Sequence, residues 1–479
     1  MIHRTQAIAE QSLLTPKDAS GKLWDVLVIG GGATGLTTAL ELSRVSTKSV
    51  AIVSLGDPAN TIHLSYRADR QGDQRARKFW KSRNKNYTPV PGLNGHIGGR
   101  SICWHGVVLR LDEKTLKKWP NEMQSRLNGT NGLYSHYENQ LTAWKGSPLS
   151  EPTCDYENSM LALMSTSDGW TLVPQASKSA FINGERRWSV YTPLSAWQYS
   201  PSDQVRTDSL PKILCGMLTE NIRQCKNNSI FEIDCSHIEM GLVKLKAKEV
   251  VLAAGTLEST RLYSTLSSNA SFQVYPNLND HFVHGAVVRL PKTIEENYDV
   301  GNRAFLMRTF DNLRANLFLD IHADCHGIPT LDLWWKGEQS RNLNSRIAVR
   351  QIAGKWLAVC ESNLSSEDLD RIEEQRHIIR EELAKFGVKP PPARKFDFVT
   401  AMKSISIGSQ GEFYLNKLGT ADHEAGTLPY GEIFSEVGRS KVFPNLFLAS
   451  PAGFPWSGYA NPTLTSISVA KMVAEEIAK

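Results

Sequence analysis

Long apolar runs are missing from these 479 residues, and so are paired cysteines and an excess of either charge. No stretch reaches the ~18 consecutive apolar residues that a membrane-spanning helix needs, so none is expected. The seven cysteines (103, 154, 215, 225, 235, 325 and 360) are scattered, and no CxxC pair occurs. That argues against a disulfide framework and for a reducing compartment. Lys plus Arg number 54 against 49 Asp plus Glu, and a net charge of +5 makes no case for a nucleic-acid partner. The first twenty residues hold no block resembling a secretory leader, and a cytoplasmic location is expected. The segment His322-Ala-Asp-Cys-His326 has metal-binding residue types but no second cluster, and no metal site is expected. What remains is the composition of an ordinary globular chain, long enough for a large core and several domains.

Against that background one pattern stands out near the N-terminus. WDVLVIGGGATGLTTALELSRV (24–45) followed by KSVAIVSLG (48–56) reads as strand, glycine turn, helix and second strand. This is a βαβ unit with parallel strands. Gly30, Gly32 and Gly35 fit GxGxxG in the required place. The first glycine permits the turn, the second lets backbone approach a pyrophosphate, and the third packs helix on sheet. The residue that binds ribose at the end of the second strand is normally acidic; here it is Ser54, which can hydrogen-bond but carries no charge. Asp57 lies one turn too late.

Other segments join this one. Gly98-Gly99-Arg-Ser101 suggests backbone packed against something flat or phosphorylated. VVLAAGTLESTRL (250–262) is an apolar strand ending at Ala254-Gly255 before a helix. Two short turn-rich segments each carry one strong functional group, His423 in DHEAGTLPYG and Asn461 in PWSGYANPTLT. Elsewhere, residues 57–97 read as a long irregular excursion with eight Lys or Arg across 67–85, either a basic lip or a solvated loop. Residues 113–165 look helical, and a helix followed by strands is expected over 205–265. AVVRL, ANLFLDI, TLDLWW and RIAVRQI read as strands. A long helix capped at Ser365 or Ser366 ends at Gly387. Trp334, Trp335 and Trp356 are either core or a sugar-stacking surface.

Taken in order, VIGGGATG, GGRSICWHG, VVLAAGTLESTRL, NLNDH (277–281), HEAGT (423–427) and NLFLASPAGFPWSGYANPTLT (445–465) resemble the glucose-methanol-choline family of flavin oxidoreductases. ANPTLT and Arg110-Leu-Asp112 look most like its pyranose-oxidase and glycoside-oxidising branch. The resemblance implies an α/β fold, a discontinuous Rossmann-like FAD-binding domain with an inserted α+β substrate-binding domain on an antiparallel sheet. It divides the chain into 22–165, 205–285 and 419–479 for the cofactor domain, and 166–204 and 286–418 for the substrate domain. It implies FAD held by Gly30, Gly32, Gly35, Ser54, Gly98, Gly99, Ser101, Cys103, Ala254, Gly255, Pro462 and Thr463. It implies a catalytic pair of His423, the base, and Asn461, which orients the alcohol, with Trp456 and Tyr459 on the substrate wall. Pyranose oxidases link FAD through a histidine two residues past the motif serine. Here Cys103 holds that place and His105 is expected to point elsewhere, so noncovalent FAD is expected, with a cysteinyl link as the alternative. The implied partners are an alcohol or sugar and oxygen or another electron acceptor. The implied activity is oxidation of an alcohol on a sugar or aminoglycoside-type compound, the alternatives being a lyase or isomerase of the same fold or a non-sugar alcohol dehydrogenase.

Overall fold

The computed structural model describes residues 8, 10–56, 80–82, 87, 95–151, 169–182, 185–197, 210–225, 229–266, 271–290, 306–323, 329–385, 387–392 and 396–479. Asp57, nearly all of the basic 67–85 segment and 324–326 lie outside them.

The βαβ unit forms as expected, with β1 (Leu23–Ile29), α1 (Ala33–Val45) and β2 (Val50–Val53). Val26 to Ile29 and Ala51 to Val53 are all buried. Such unbroken burial is what a parallel sheet covered on both faces demands. Next come β3 (Lys212–Leu214), β4 (Met217–Gln224), β5 (Phe231–His237), β6 (Gly241–Leu252) and α2 (Gly255–Thr265). The sheet runs β3–β2–β1–β6–β5–β4, and the C-terminal strand Leu446–Leu448 also pairs with β6. β6 serves both halves. Gly241 to Ala247 pair antiparallel with β5, while its later residues pair parallel with β1 and with Leu446–Leu448. The last helix, Thr463–Ala478, lies on α1, where Thr38 Oγ1 donates to the Ala470 carbonyl and Lys471 pairs with Glu41 at 2.7 Å.

The helix expected at the start of 205–265 is not found in its described part, where 212–214 and 217–224 are strands. Gly216, in the left-handed region at φ +67°, turns the chain between them, and pairing of the first with β2 and of the second with β5 satisfies their backbone.

The second sheet is antiparallel, with β7 (His281–Arg289), β8 (Leu306–Phe310), β9 (Ala315–Ala323), β10 (Pro329–Glu338), then the helices α3 (Ser366–Lys385) and α4 (Phe398–Ser406), then β11 (Gly411–Leu415). Its order is β11–β7–β10–β9–β8, with Thr171–Leu172 beyond β8. Strand alternation divides its residues between two faces. Leu317, Leu319, Leu331, Leu333, Trp335 and Phe413 pack against Ile379 and Leu383 of α3. Phe318, Asp320, Asp332, Trp334, Lys336 and Tyr414 point the other way, toward the first sheet. The expected helix cap at Ser365 is present. Ser365 Oγ accepts from Asp368 N at 3.1 Å, and the Asp368 carboxylate accepts from Ser365 N at 2.8 Å.

His284 of β7 is fully buried under α3, its Nε2 donating to Gln375 Oε1 at 2.7 Å. Burial pushes this imidazole down to about 3. Between pH 6.5 and 3 the unfolded chain takes up a proton that the folded one refuses, so this contribution to stability is full above pH 6.5 and is lost on acidification. In urea titrations the advantage of wild type over His284→Leu should shrink by about 1.4 kcal/mol between pH 7.5 and 5.5. Parallel stability curves would show that His284 is charged in the fold.

Candidate active site

The two sheets enclose a cavity of about 560 Å³, within the usual range for small-molecule sites. One end is built from glycine backbone. Gly30, at φ +114°, sits so close to β6 that an added Cβ would stand 2.4 Å from the Ala253 carbonyl oxygen. At Gly35 a Cβ would lie 1.9 Å from Gly30 O. Gly98 N donates to Gly31 O at 2.8 Å, laying the second glycine segment across the first. The N-terminus of α1 opens into the cavity at Gly32, and no side chain caps it. Its free N–H groups and positive dipole end make an anion site.

Of the residues expected to hold the cofactor, Gly30, Gly32, Ser54, Gly99, Ser101 and Cys103 line this cavity. So do Ala254, Gly255, Pro462 and Thr463. Gly35 and Gly98 stand behind the lining and fix its shape. His423 and Asn461 face the same space. Trp456 and Tyr459 do not. Lys118 lies 3.6 Å over the Trp456 ring, and the Tyr459 hydroxyl donates to Asp311. His105, expected to point elsewhere, lines the cavity along with Cys103. Gly99–Ile102 is a turn of 3₁₀ helix followed by a bend, so strand alternation does not apply there.

Three distant segments meet around His423. Asn279 and Ala425 exchange backbone hydrogen bonds of 3.1 and 2.9 Å, which sets NLNDH beside HEAGT. Gly426 N donates to Pro451 O and Leu428 N to Ala452 O, which binds HEAGT to the last turn. Asn277, Asp422 and Thr427 all have positive φ, at 64°, 59° and 80°. Strain of this kind in non-glycine residues collects at functional sites. The Asp280 carboxylate accepts from the backbone N–H of Gly419, His281 and His423. Burial and neighbouring Glu424 nonetheless push Asp280 up to about 8. Arg100 bridges this cluster, pairing with Glu424 and donating to the Asp422 carbonyl.

His423 is half-buried on the cavity wall, and burial, with the nearby Lys336 cation, holds it well below its ordinary range. The imidazole is therefore neutral. Its Nδ1 is 2.8 Å from Nδ1 of His281, whose Nε2 is 2.9 Å from the Gly458 carbonyl oxygen. Asn461 is 8% exposed, and its Oδ1 has no partner among the described residues. A buried amide oxygen left so, beside a cavity, is suited to a bound donor. The floor is the inner face of the second sheet. Phe318 and Trp334 stack there at 5.3 Å and 15°, with Asp320 and Asp332 directly opposite one another in the next row. Of the three tryptophans considered from sequence, only Trp334 lines the cavity.

Residues 25–67 match the family described as FAD binding domain. The fold is similar to that of a point variant of formate oxidase from Aspergillus oryzae RIB40, with 12% identity over 96% of this chain and 98% of that one, and a TM-score of 0.64. It is similar also to pyridoxine 4-oxidase from Mesorbium loti, with 14% identity, 95% and 99% coverage, and a TM-score of 0.58. The architecture is a Rossmann-like FAD-binding fold joined to an antiparallel substrate sheet. FAD suits the cradle seen here, because the uncapped start of α1 can take its pyrophosphate and the glycine backbones leave room for close approach.

The sequence points to His423 and Asn461 but gives His281, within the NLNDH motif, no role. The sequence does not single out Asp320, Asp332 or Lys336, whose signal is alternation on strands whose inner face the sequence does not identify, nor Arg100, which lies within the Gly98–Ser101 turn.

Proposed function

We propose that this protein is an FAD-dependent oxidoreductase that converts an alcohol to a carbonyl on a sugar, glycoside or aminoglycoside-type compound. The observation that carries this reading is that neutral His423 and partner-seeking Asn461 face one cavity whose far end is a dinucleotide cradle. FAD, when bound, supplies the acceptor for a hydride. Gly30, Gly32, Gly99 and the start of α1 would hold its phosphates, Ser54 would serve the ribose, and Pro462 and Thr463 would stand against the ring.

His423 takes the hydroxyl proton as a general base, a contribution of about 10²–10⁴-fold. Asn461 orients the hydroxyl-bearing carbon whose hydride is to leave, and its amide N–H favours the negative charge developing on the oxygen. The stacked Phe318 and Trp334 offer a flat apolar face to a sugar ring. Asp320 and Asp332 offer acceptors for ring hydroxyls or an ammonium group. Noncovalent attachment is supported by Cys103, whose Sγ donates to Arg100 O at 3.4 Å. The two neighbours of similar fold are named as oxidases, which supports oxygen as the final acceptor.

The test is anaerobic bleaching of the yellow protein across a panel of monosaccharides, glycosides and aminoglycosides. Rapid bleaching by members of one of these classes, but not by simple alkanols, is expected. A panel that leaves the flavin oxidised throughout would falsify the substrate assignment.

A further inference from the structure

Two histidines touch, and the chemistry above uses only one. His281 enters β7 from the NLNDH turn and is 2% exposed. Its Nε2 lies 2.9 Å from the carbonyl oxygen of Gly458. A carbonyl only accepts, so Nε2 carries the proton. Burial pushes His281 down to about 3, so the ring is neutral and its Nδ1 bears a lone pair. His423 Nδ1, 2.8 Å away, must then be the donor. A neutral imidazole has one N–H, so the Nε2 of His423 is left bare.

We infer that His281 is a positioning residue that holds His423 in the tautomer with an unprotonated Nε2, the nitrogen that receives the substrate proton. The inference rests on the reading of His423 as the base. In the step it serves, the O–H bond of the alcohol breaks and an N–H bond forms at Nε2. The carbon's hydride leaves with its electron pair to the flavin of the proposed reaction. The hydrogen bond to His281 survives that change, because Nδ1 of His423 donates before and after it. It also strengthens, since a charged donor makes the stronger bond.

The fold fixes the acceptor end as well. Gly458 sits at φ +62°, and an added Cβ would meet Thr115 Oγ1 at 3.0 Å and Leu111 Cδ2 at 3.2 Å. Only glycine holds its carbonyl toward His281 without strain. The charged and titratable groups around the pair are Lys336 from β10, Arg100 and His105 from the GGRSICWHG segment, and Asp280, Asp422 and Glu424 from the two turns. The two Nδ1 atoms face one another at 2.8 Å.

The test compares wild type, His281→Phe and His281→Asn as holoproteins. Phenylalanine fills the site without an acceptor, and the asparagine Oδ1 stands close to where Nδ1 was. In ¹⁵N-histidine NMR, wild type should show His423 protonated at Nδ1. In His281→Phe the proton should move to Nε2, kcat should fall about 10- to 100-fold, and flavin content should hold. The acid limb of kcat/KM should also move to lower pH, since the imidazolium loses its acceptor. His281→Asn should recover most of the rate and the Nδ1–H tautomer. Nε2–H on His423 in wild type overturns the inference. So does an equal loss in both variants with an unmoved acid limb, which marks packing alone. Failure of His423 as the base is separable, because it appears as activity retained in His423→Ala whatever the tautomer.

Discussion

His423→Ala should give a folded yellow protein whose flavin is reduced by substrate about 10²–10⁴-fold more slowly. Flavin should stay bound because the cradle that holds it is built elsewhere, from the βαβ turn, the Gly98–Ser101 segment and the end of β6. The rate should fall because the variant loses the lone pair at Nε2 that receives the proton, and the other titratable groups of the lining, among them His105, Asp320 and Asp332, stand elsewhere on its wall. Stopped-flow reduction with matched flavin content and circular dichroism checks the result, and a near wild-type rate would remove His423 from the mechanism.

The second large effect reverses a common expectation. Replacing a helical glycine with alanine ordinarily stabilises a helix by about 0.5–1 kcal/mol. Gly35 is buried in the first turn of α1, and Gly35→Ala should do the opposite. Its new Cβ would stand 1.9 Å from Gly30 O and 3.3 Å from the Ala253 Cβ. The obstacle at Gly30 is backbone, so no rotamer relieves it. Either α1 lifts from β1 or the turn at Gly30 deforms, and overpacking of this kind costs about 1–3 kcal/mol or more. Both movements displace the N–H groups aimed at the pyrophosphate. The variant should purify largely colourless and unfold at lower urea than wild type. Full flavin content with unchanged or greater stability would show that Gly35 is there for a reason other than contact.

What the sequence revealed follows the range of the interactions involved. The βαβ unit is local, so strand, glycine turn and helix could be read directly and appear as expected. The strands 286–360 and the helix capped at Ser365 were legible for the same reason. The strand at 212–214 was not, because its partner is β2, far back in the chain, rather than anything near the segment. His105 was misplaced because a period of two was carried into a 3₁₀ turn. His423 and Asn461 stood out through the motifs around them. The role of His281 could not be read. It exists only where Asn279 and Ala425 pair, and no local pattern reports that contact. Trp456 and Tyr459 flank the right turn, yet each is drawn off by a specific partner, Lys118 in one case and Asp311 in the other.

The Asn279–Ala425 bridge has a kinetic consequence. It joins positions 146 residues apart along the chain, and between them lies most of the second sheet. Closing so long a loop is entropically costly, and it is rewarded only after the intervening strands are in place. The two histidines therefore meet late in folding. The βαβ turn, by contrast, forms from local contacts, so the part of the cradle around Gly30–Gly35 can stand before the base is assembled, while the rest of it waits for the longer-range pairing of β1 with β6.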